Sequence, residues 1–265
     1  LEAGELNTYK AILGADIVQD NAYFQIRGQR LESDGSPITN TANAKDASYE
    51  QKGFSLKGGI ENEQYSASAQ FEENKGNSDY NPLLTGNQDF VNRTLNLKGS
   101  VNVSKELSLN ARYSEFKDEL TQKRTIGYFD TDTQEADVSA RWNFIQGQNV
   151  LAGVTTRKTD VDTSGYKNKQ LKTNGYYVQH QYQTDSLSTQ AGIRVEDDDN
   201  YGTQTVGQLA GRIQIAPLTS IYANIGSAFR APSGNDLYGF GGNLDLEPEE
   251  SISYELGVDQ KITDH

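Results

Sequence analysis

Apolar and polar residues alternate with a period of two along most of the chain. In the segment 187–195, apolar residues occupy four of the five odd positions, whereas Ser188, Gln190 and Arg194 occupy even positions. The same alternation recurs in the segments 65–72, 95–103 and 138–144. Because successive side chains of a β-strand point to opposite faces, this pattern predicts strands with one apolar and one polar face. No segment has convincing helical periodicity, so we expect an all-β fold.

The strands predicted from this pattern are joined by short turns and long polar segments in alternation. About thirteen strands are expected, at residues 7–17, 22–32, 51–60, 64–74, 91–103, 106–117, 134–145, 149–158, 174–183, 186–196, 204–215, 219–230 and 250–260. The long polar segments are 31–50, 74–90, 117–133, 159–173, 197–203 and 231–250. Tight turns on one side and long loops on the other are typical of antiparallel transmembrane β-barrels. Most strands have about 9 to 12 residues, which is enough for a tilted strand to cross a bilayer.

The low hydrophobic content agrees with a wide barrel. Hydrophobic residues make up 34% of the chain, and no run approaches the roughly 18 consecutive apolar residues of a membrane helix. In a wide barrel, alternate residues face lipid while the others line a wet lumen, so only about half of each strand needs to be apolar. A soluble β-sandwich or a β-solenoid is the alternative that the pattern alone leaves open.

Charge and residue usage exclude several function classes. The formal net charge of −13 argues against binding to nucleic acid through its phosphates. The absence of Cys excludes thiolate catalysis and Cys-based zinc sites, and two His residues leave little room for a His-based site. No GxSxG motif occurs, and nothing fixes a catalytic pair of carboxylates. The sequence therefore predicts no enzyme and no required cofactor.

The strand count raises a problem of closure. An odd number of successive antiparallel strands cannot close an antiparallel barrel, and unpaired backbone groups in lipid cost several kcal/mol each. The chain also begins without Met, at Leu1. We therefore expect one partial β-barrel domain over residues 1–265 that belongs to a longer polypeptide.

An ordered motif near the C-terminus resembles a signature of the TonB-dependent outer-membrane transporters. The segment 229–257 follows the family order of FRAP, LY, GN, PE and YELG, but Leu244 stands where the family usually has Pro. The residues that carry the resemblance most clearly are Phe229, Arg230, Ala231, Pro232, Leu237, Tyr238, Gly242, Asn243, Pro248 and Glu249. Within the family, this motif and the segments 114–137 and 194–205 are most similar to vitamin B12 (cobalamin) receptors.

The resemblance implies a fold and a location. Barrels of this family have 22 strands around an N-terminal plug, and this chain is similar to roughly the second through the fourteenth strand, without the plug. The resemblance implies the outer membrane of a Gram-negative bacterium, with contacts to the lipid bilayer and lipopolysaccharide. It also implies a small-molecule substrate, either cobalamin or a ferric siderophore, and energy coupling to the TonB complex through the plug. A passive porin and a soluble or cell-surface β-rich binding protein are the rival functions.

We expect the motif to serve the fold rather than to contact a ligand. Pro232 and Pro248 should fix the chain where it leaves and re-enters the sheet. Gly239, Gly241 and Gly242 should adopt backbone angles that are closed to other residues.

The acidic loops are the candidates for metal chemistry. Cobalamin receptors bind calcium through aspartates in early external loops, and the nearest equivalents here are Asp79 in GNSDYN and Asp130 with Asp132 in YFDTDT. Carboxylates from two loops suit a cation that takes six to eight oxygen ligands. No DxDxDG pattern occurs, so solvated turn aspartates are the alternative. The run at 197–199 is interpreted as a turn.

Overall fold

The chain folds almost entirely into β-strands, as the alternation predicts. The structure, a computed structural model, describes residues 1–40, 44–81, 86–123 and 127–262. Within these residues it contains fourteen strands and one short α-helix. The elements are β1 (Glu2–Gly4), β2 (Thr8–Gln19), β3 (Ala22–Ser33), β4 (Tyr49–Glu61), β5 (Tyr65–Asn81), β6 (Gly86–Asn102), β7 (Leu107–Gln122), β8 (Gly127–Ile145), β9 (Gln148–Thr163), β10 (Lys169–Gln183), β11 (Leu187–Asp198), β12 (Gly202–Ala216), β13 (Thr219–Arg230), α1 (Gly234–Tyr238) and β14 (Glu249–Gln260). No α-helix in the described ranges has the length and apolar character required to cross a bilayer.

The strands form one sheet in which each strand pairs with the next strand along the chain. The prediction of an all-β, antiparallel fold is confirmed. The prediction of thirteen strands is wrong by one within the described residues, because β1 was missed. Its three residues pair with Thr8, Tyr9 and Lys10. A strand of three residues is too short to show a period of two, so the sequence pattern could not reveal it.

Most of the segments predicted to be long loops are strand. The expected loop 74–90 is largely the paired ends of β5 and β6, and the expected loop 197–203 narrows to a turn at 199–201. The segments 117–133 and 159–173 are likewise mostly the ends of β7, β8, β9 and β10. Polar side chains form hydrogen bonds between the ends of neighbouring strands. For example, the Asn77 amide of β5 donates to the Asp89 carboxylate of β6 at 2.6 Å. The connection 231–248 is the longest one described without a gap.

The residues group into two compact units. The first comprises Leu1–Gly99, Arg112–Glu135 and Lys158–Gln170. The second comprises Ser100–Ala111, Ala136–Arg157 and Leu171–His265. The predicted signature lies wholly in the second unit.

The two faces of the sheet in the first unit differ in chemistry. On one face, Ile26 lies opposite Leu56, and Leu56 lies opposite Phe71. On the other face, the carbonyl oxygen of the Asn74 side chain accepts hydrogen bonds from Gln29 and Gln51, both at 2.8 Å. Among the described residues, no second layer buries the apolar face, since Ile26 is 44% exposed. This unit therefore has one apolar face and one face of hydrogen-bonded amides.

Strand glycines in the second unit make room for aromatic rings. Gly257 of β14 lies opposite Tyr222 of β13, and a Cβ on Gly257 would stand 2.2 Å from the ring. In the same way, a Cβ on Gly153 would stand 2.4 Å from the hydroxyl of Tyr177. That hydroxyl donates to the Asp137 carboxylate at 3.1 Å. The glycine of the YELG motif thus allows a neighbouring ring to lie flat against the sheet.

Candidate functional site

The candidate site is the connection 231–248 between β13 and β14, where the signature residues lie. Arg230 ends β13 and Glu249 begins β14. Their side chains form an ion pair of 3.2 Å across the base of the connection. Pro232 and Pro248 lie just outside the two strands, where the missing N–H of proline breaks no ladder hydrogen bond. The structure therefore places both prolines where the sequence predicted them.

A capping box begins the short helix α1 inside this connection. Ser233 is the N-cap, and its hydroxyl accepts a hydrogen bond from the backbone N–H of Asp236 at 3.2 Å. The Asp236 carboxylate in turn accepts from the backbone N–H of Ser233 at 2.9 Å and from its hydroxyl at 2.8 Å. These bonds from Ser233, the backbone one first, lower the pKa of Asp236 below its ordinary value. The box fixes a five-residue helix that is too short to be stable alone.

The helix packs against the turn between β11 and β12. Leu237 is 4% exposed, and it is the only buried hydrophobic side chain among those that the structure describes. The Tyr238 hydroxyl donates to the side-chain oxygen of Asn200 at 3.1 Å. The ring of Phe229 meets the ring of Tyr201 edge-on, with 6.0 Å between centroids. Two aromatic signature residues, Phe229 at the end of β13 and Tyr238 in the connection, therefore contact the neighbouring hairpin turn.

A buried carboxylate holds that hairpin turn in place. Asp198 is 6% exposed and accepts from the Thr173 hydroxyl at 2.6 Å and from the backbone N–H of Asn200 at 2.8 Å. Burial, with the negative charges of Asp198 and Glu196 as smaller causes, raises the pKa of the Tyr201 phenol to about 12. The prediction of a turn at 197–199 is wrong for Asp197 and Asp198, which are the last two residues of β11, and is confirmed only for Asp199, where the turn begins.

The glycines of the motif have two different roles. Gly241 has a φ of +78°, the left-handed conformation that the sequence predicted. Gly239 has a φ of −70°, which any residue can adopt, so that prediction is wrong for Gly239. It is wrong for Gly242 too, which is not among the residues of positive φ. A Cβ on Gly239 would stand 2.5 Å from the carbonyl oxygen of Asn235, and one on Gly242 would stand 2.7 Å from that of Leu237. Close backbone approach explains these two positions.

Asn243 extends the ordered part of the connection. Its backbone N–H donates to the carbonyl oxygen of Asp236, and its side-chain oxygen accepts from the N–H of Asp245, each at 2.9 Å. Beyond this frame, Phe240 is fully exposed, and Leu244 is 63% exposed. The connection thus has an ordered base and an exposed apolar tip.

The first predicted calcium ligand lies in a strand rather than in a loop. Asp79 belongs to β5, and its carboxylate accepts from the Ser48 hydroxyl at 2.6 Å and from the Ser48 backbone N–H at 3.1 Å. The Asn87 amide donates to its other oxygen at 3.1 Å. Asp79 therefore already ties the segment before β4 to β5 and β6.

The other two predicted ligands lie in β8, also outside a loop. Asp132 forms an ion pair of 3.1 Å with Lys117. Asp130 lies within electrostatic reach of Glu119 and Asp162, so negative charge is concentrated around it. In the described parts of the chain, no group of three or more His, Cys, Asp or Glu side chains is arranged to hold a metal ion. Calcium binding by these residues stays a prediction.

Sequence reasoning missed three residues that hold the connection: Ser233, Asn200 and Tyr201. The S-x-x-D spacing of Ser233 and Asp236 is a capping signal that could have revealed the helix. No local signal links Asn200 to a residue 38 positions away. The Nε2 atom of His180, one of the two His residues of the chain, lies 3.2 Å from the Gln148 side-chain oxygen.

Comparison with known proteins identifies the family. Residues 4–264 match the family described as "TonB dependent receptor-like, beta-barrel". This chain therefore belongs to the TonB-dependent receptors, as the signature predicted, and the match covers nearly its whole length. Members of this family are receptors and transporters rather than enzymes.

Curated relatives match part of the chain. It is 29% identical over 131 residues to the vitamin B12 transporter BtuB of Photobacterium profundum, a match covering 48% of this chain and 22% of that protein. It is 32% identical over 120 residues to the vitamin B12 transporter BtuB of Vibrio vulnificus strain CMCP6, covering 42% of this chain and 19% of that protein. The matched part thus spans about a fifth of either relative.

Solved structures of the same fold match almost the whole chain. The copper transporter OprC superposes with a TM-score of 0.80 at 15% identity, covering 98% of this chain and 50% of that protein. The G324V mutant of the ferric enterobactin receptor PfeA from Pseudomonas aeruginosa has a TM-score of 0.79 at 12% identity, covering 96% and 48%. These likenesses establish the fold, and the chain spans about half of either structure.

Proposed function

We propose that this chain is the barrel portion of an outer-membrane active transporter that takes up cobalamin. The observation that carries the proposal is the sequence match to two vitamin B12 transporters at 29% and 32% identity. The likeness to copper and ferric siderophore receptors is a likeness of fold at 12–15% identity, and it favours no substrate. A ferric siderophore is therefore the alternative substrate that the experiment must separate from cobalamin.

In this proposal the short turns face the periplasm and the connection 231–248 faces outward. The frame of Arg230, Ser233 and Tyr238 holds the base of the connection, so its exposed tip is presented to substrate in a fixed position. A preformed loop loses less entropy on binding than a disordered one. Energy for release would come from the TonB complex through a plug domain elsewhere in the protein.

The complete protein can be tested in a Gram-negative host that lacks its own cobalamin receptor. We expect the gene to restore uptake of labelled cyanocobalamin, and deletion of TonB to abolish that uptake. Excess ferric siderophore should not compete. Uptake that continues without TonB would indicate a passive pore, and uptake of ferric siderophore in place of cobalamin would overturn the substrate assignment.

Two rival functions are less well supported. A passive porin would share the strand pattern but not the family to which residues 4–264 belong. A soluble β-rich binding protein would bury its apolar side chains, whereas Ile26, Trp142 and Leu256 are 44%, 55% and 79% exposed. Purification of the complete protein with and without detergent tests this point, since a barrel should require detergent.

Calcium is proposed as an accessory ion through Asp79, Asp130 and Asp132. Chelation of calcium should weaken cyanocobalamin binding by the complete protein, and readdition should restore it. The variant D130N should remove this dependence if the carboxylate is a ligand. Binding that is unchanged by chelation would contradict the role of all three residues.

A further inference from the structure

Two aromatic rings stack on the sheet of the first unit, on either side of strand β5. Tyr49 begins β4 and Phe90 lies in β6, and their ring planes are within 20° of each other, with 5.8 Å between centroids. β5 runs between these two strands. A Cβ on Gly76 of β5 would stand 2.7 Å from the Phe90 ring, so the glycine lets this ring lie close to the strand. We call Tyr49 and Phe90 the aromatic pair.

Three carboxamides continue the same face from the aromatic pair. Gln51 follows Tyr49 by two residues, so both side chains point to one side of β4, about 7 Å apart along the strand. The Tyr49 hydroxyl donates to the Gln51 side-chain oxygen. Gln51 and Gln29 each donate to the Asn74 side-chain oxygen at 2.8 Å, and we call these three residues the amide row. A carboxamide has two N–H donors and two acceptor lone pairs, so the row can bond to itself and to a ligand.

This face of the sheet is the one turned away from lipid. The opposite face of the same strands carries Phe54, Leu56 and Phe71. In a barrel, the apolar side of each strand faces lipid and the other side lines the lumen. Tyr49 is the first residue of β4, at the end away from the short turn that follows Glu61. The aromatic pair therefore lies on the lumenal face, at the end that faces outward in the proposed function.

The charges around the amide row disfavour an anionic ligand. Asn74 donates its amide N–H to the Glu72 carboxylate at 2.6 Å, so a negative charge lies beside the row. Arg27, on the same face of β3, binds both oxygens of Asp16 at 2.8 Å, and Lys10 of β2 is paired with a carboxylate of β1 at 3.5 Å. An anion that leaves water needs cations or several N–H donors in return. This wall therefore suits a neutral ligand that has apolar area and carboxamide groups.

We propose that the aromatic pair and the amide row form the part of the barrel wall that recognises cobalamin. The inference rests on the proposed function and adds the residues that determine specificity. Cobalamin has a flat conjugated macrocycle edged by carboxamide side chains. The aromatic pair packs against the macrocycle, since aromatic rings contribute both buried area and stacking. The amide row bonds to the carboxamides at its edge, and a ligand that leaves such polar groups unpaired is rejected.

The aromatic pair is tested by equilibrium binding of labelled cyanocobalamin to the complete protein in detergent. Y49L/F90L keeps apolar side chains but removes both rings. F54L/F71L is the matched control, because it removes a ring pair with a centroid distance of 5.7 Å from the opposite face. We expect Y49L/F90L to bind at least about tenfold more weakly and the control to bind like the parent. Equal binding by Y49L/F90L and the parent overturns the role of the pair, as does an equal loss in the control.

Thermal unfolding in the same detergent shows whether each variant is folded. If Y49L/F90L unfolds, the single variants Y49L and F90L take its place, each with an expected loss of about threefold in affinity.

The amide row is tested from both sides of the contact. Q29A/Q51A removes two carboxamides from the protein. The monocarboxylate derivatives of cyanocobalamin instead replace one carboxamide of the ligand with an anion, and they are measured on the parent protein, so no variant has to fold. We expect a loss of about tenfold for Q29A/Q51A and for at least one derivative, since the anion would lie near Glu72.

The failure of this inference is distinct from the failure of the proposed function. Unchanged affinity in Q29A/Q51A and for every monocarboxylate overturns the role of the amide row. A complete parent protein that does not bind cyanocobalamin overturns the proposed function. A parent that binds it, with variants that bind it equally well, overturns only the assignment of these residues.

Discussion

The hydroxyl of Tyr238 donates a hydrogen bond of 3.1 Å to the side-chain oxygen of Asn200, which joins the connection 231–248 to the turn between β11 and β12. The Asn200 side-chain amide donates to Asp198 at 3.2 Å, so its oxygen is oriented toward Tyr238. Tyr238, the tyrosine of the LY pair, is therefore hydrogen-bonded to a turn residue that lies 38 positions earlier in the chain.

Removal of this hydroxyl should loosen the helix α1. We expect Y238F to lower the local opening free energy by about 0.5–1.5 kcal/mol, because one partly buried hydrogen bond is lost. Hydrogen exchange of the α1 amides in the detergent-purified protein would measure this. The variant N200A should have a similar effect, and the double variant should add little to either. Fully additive effects would show that the two residues act independently.

The capping box should make the same helix sensitive to S233A and to acid. The substitution removes the hydroxyl that caps α1, and it should cost about 1 kcal/mol of local stability. The pKa of Asp236 is lower in the folded protein, so its contribution is present at neutral pH and is lost as pH falls through that lowered value. Exchange of α1 amides should therefore speed up in acid relative to the β2–β3 hairpin. In D236N this relative acid dependence should vanish.

Ionisation of Tyr201 in strong alkali should weaken the docking of the connection 231–248 onto the turn between β11 and β12. Its pKa is raised to about 12, so the folded protein favours the neutral phenol. The stabilisation is complete below the ordinary tyrosine pKa of about 10 and is lost as pH rises toward about 12. Burial raises the pKa of other tyrosines too, such as Tyr166, so absorbance titration should find one late-ionising tyrosine fewer in Y201F than in the parent protein. An unchanged titration curve in Y201F would assign the late phenol to another residue.

The glycine of the YELG motif should tolerate no side chain without rearrangement. In G257A the new Cβ would meet the Tyr222 ring, and we expect a loss of about 1–3 kcal/mol in stability. G28A is a matched control, since a Cβ on Gly28 in strand β3 would have no atom within 4 Å. Thermal unfolding in detergent should separate the two variants. Equal midpoints would mean that the ring moves aside at no cost.

The strands could be predicted from sequence where one face is apolar. The Leu187–Asp198 strand was expected at 186–196, and Thr219–Arg230 was expected at 219–230, because alternation runs through both. The sequence pattern predicts loops at the ends of the central strands that lie away from the short turns, although these ends are strand. The strand ends that contain Asn77 and Asp89 have no apolar face. They pair through backbone hydrogen bonds and polar side-chain bonds, which a hydropathy pattern cannot reveal.

The motif residues could be found from sequence, but their partners could not. The prolines beside Arg230 and Glu249 followed from the rule that proline is excluded from the sheet interior. The contact of Phe229 with Tyr201 depends on strand register and on how the connection folds, which no local pattern specifies. The family could be inferred from the motif, whereas the contacts that its residues make are seen only in the structure.

The length of the central strands should determine where proteases can cleave the protein. β8 has 19 residues, which corresponds to roughly 60 Å of extended chain, about twice the hydrocarbon thickness of a bilayer. Peptide bonds in a paired strand are poor substrates for proteases, which must unfold a segment before cutting it. Proteases added to the purified protein should therefore cleave within 231–248 well before they cleave the half of β8 that begins at Gly127.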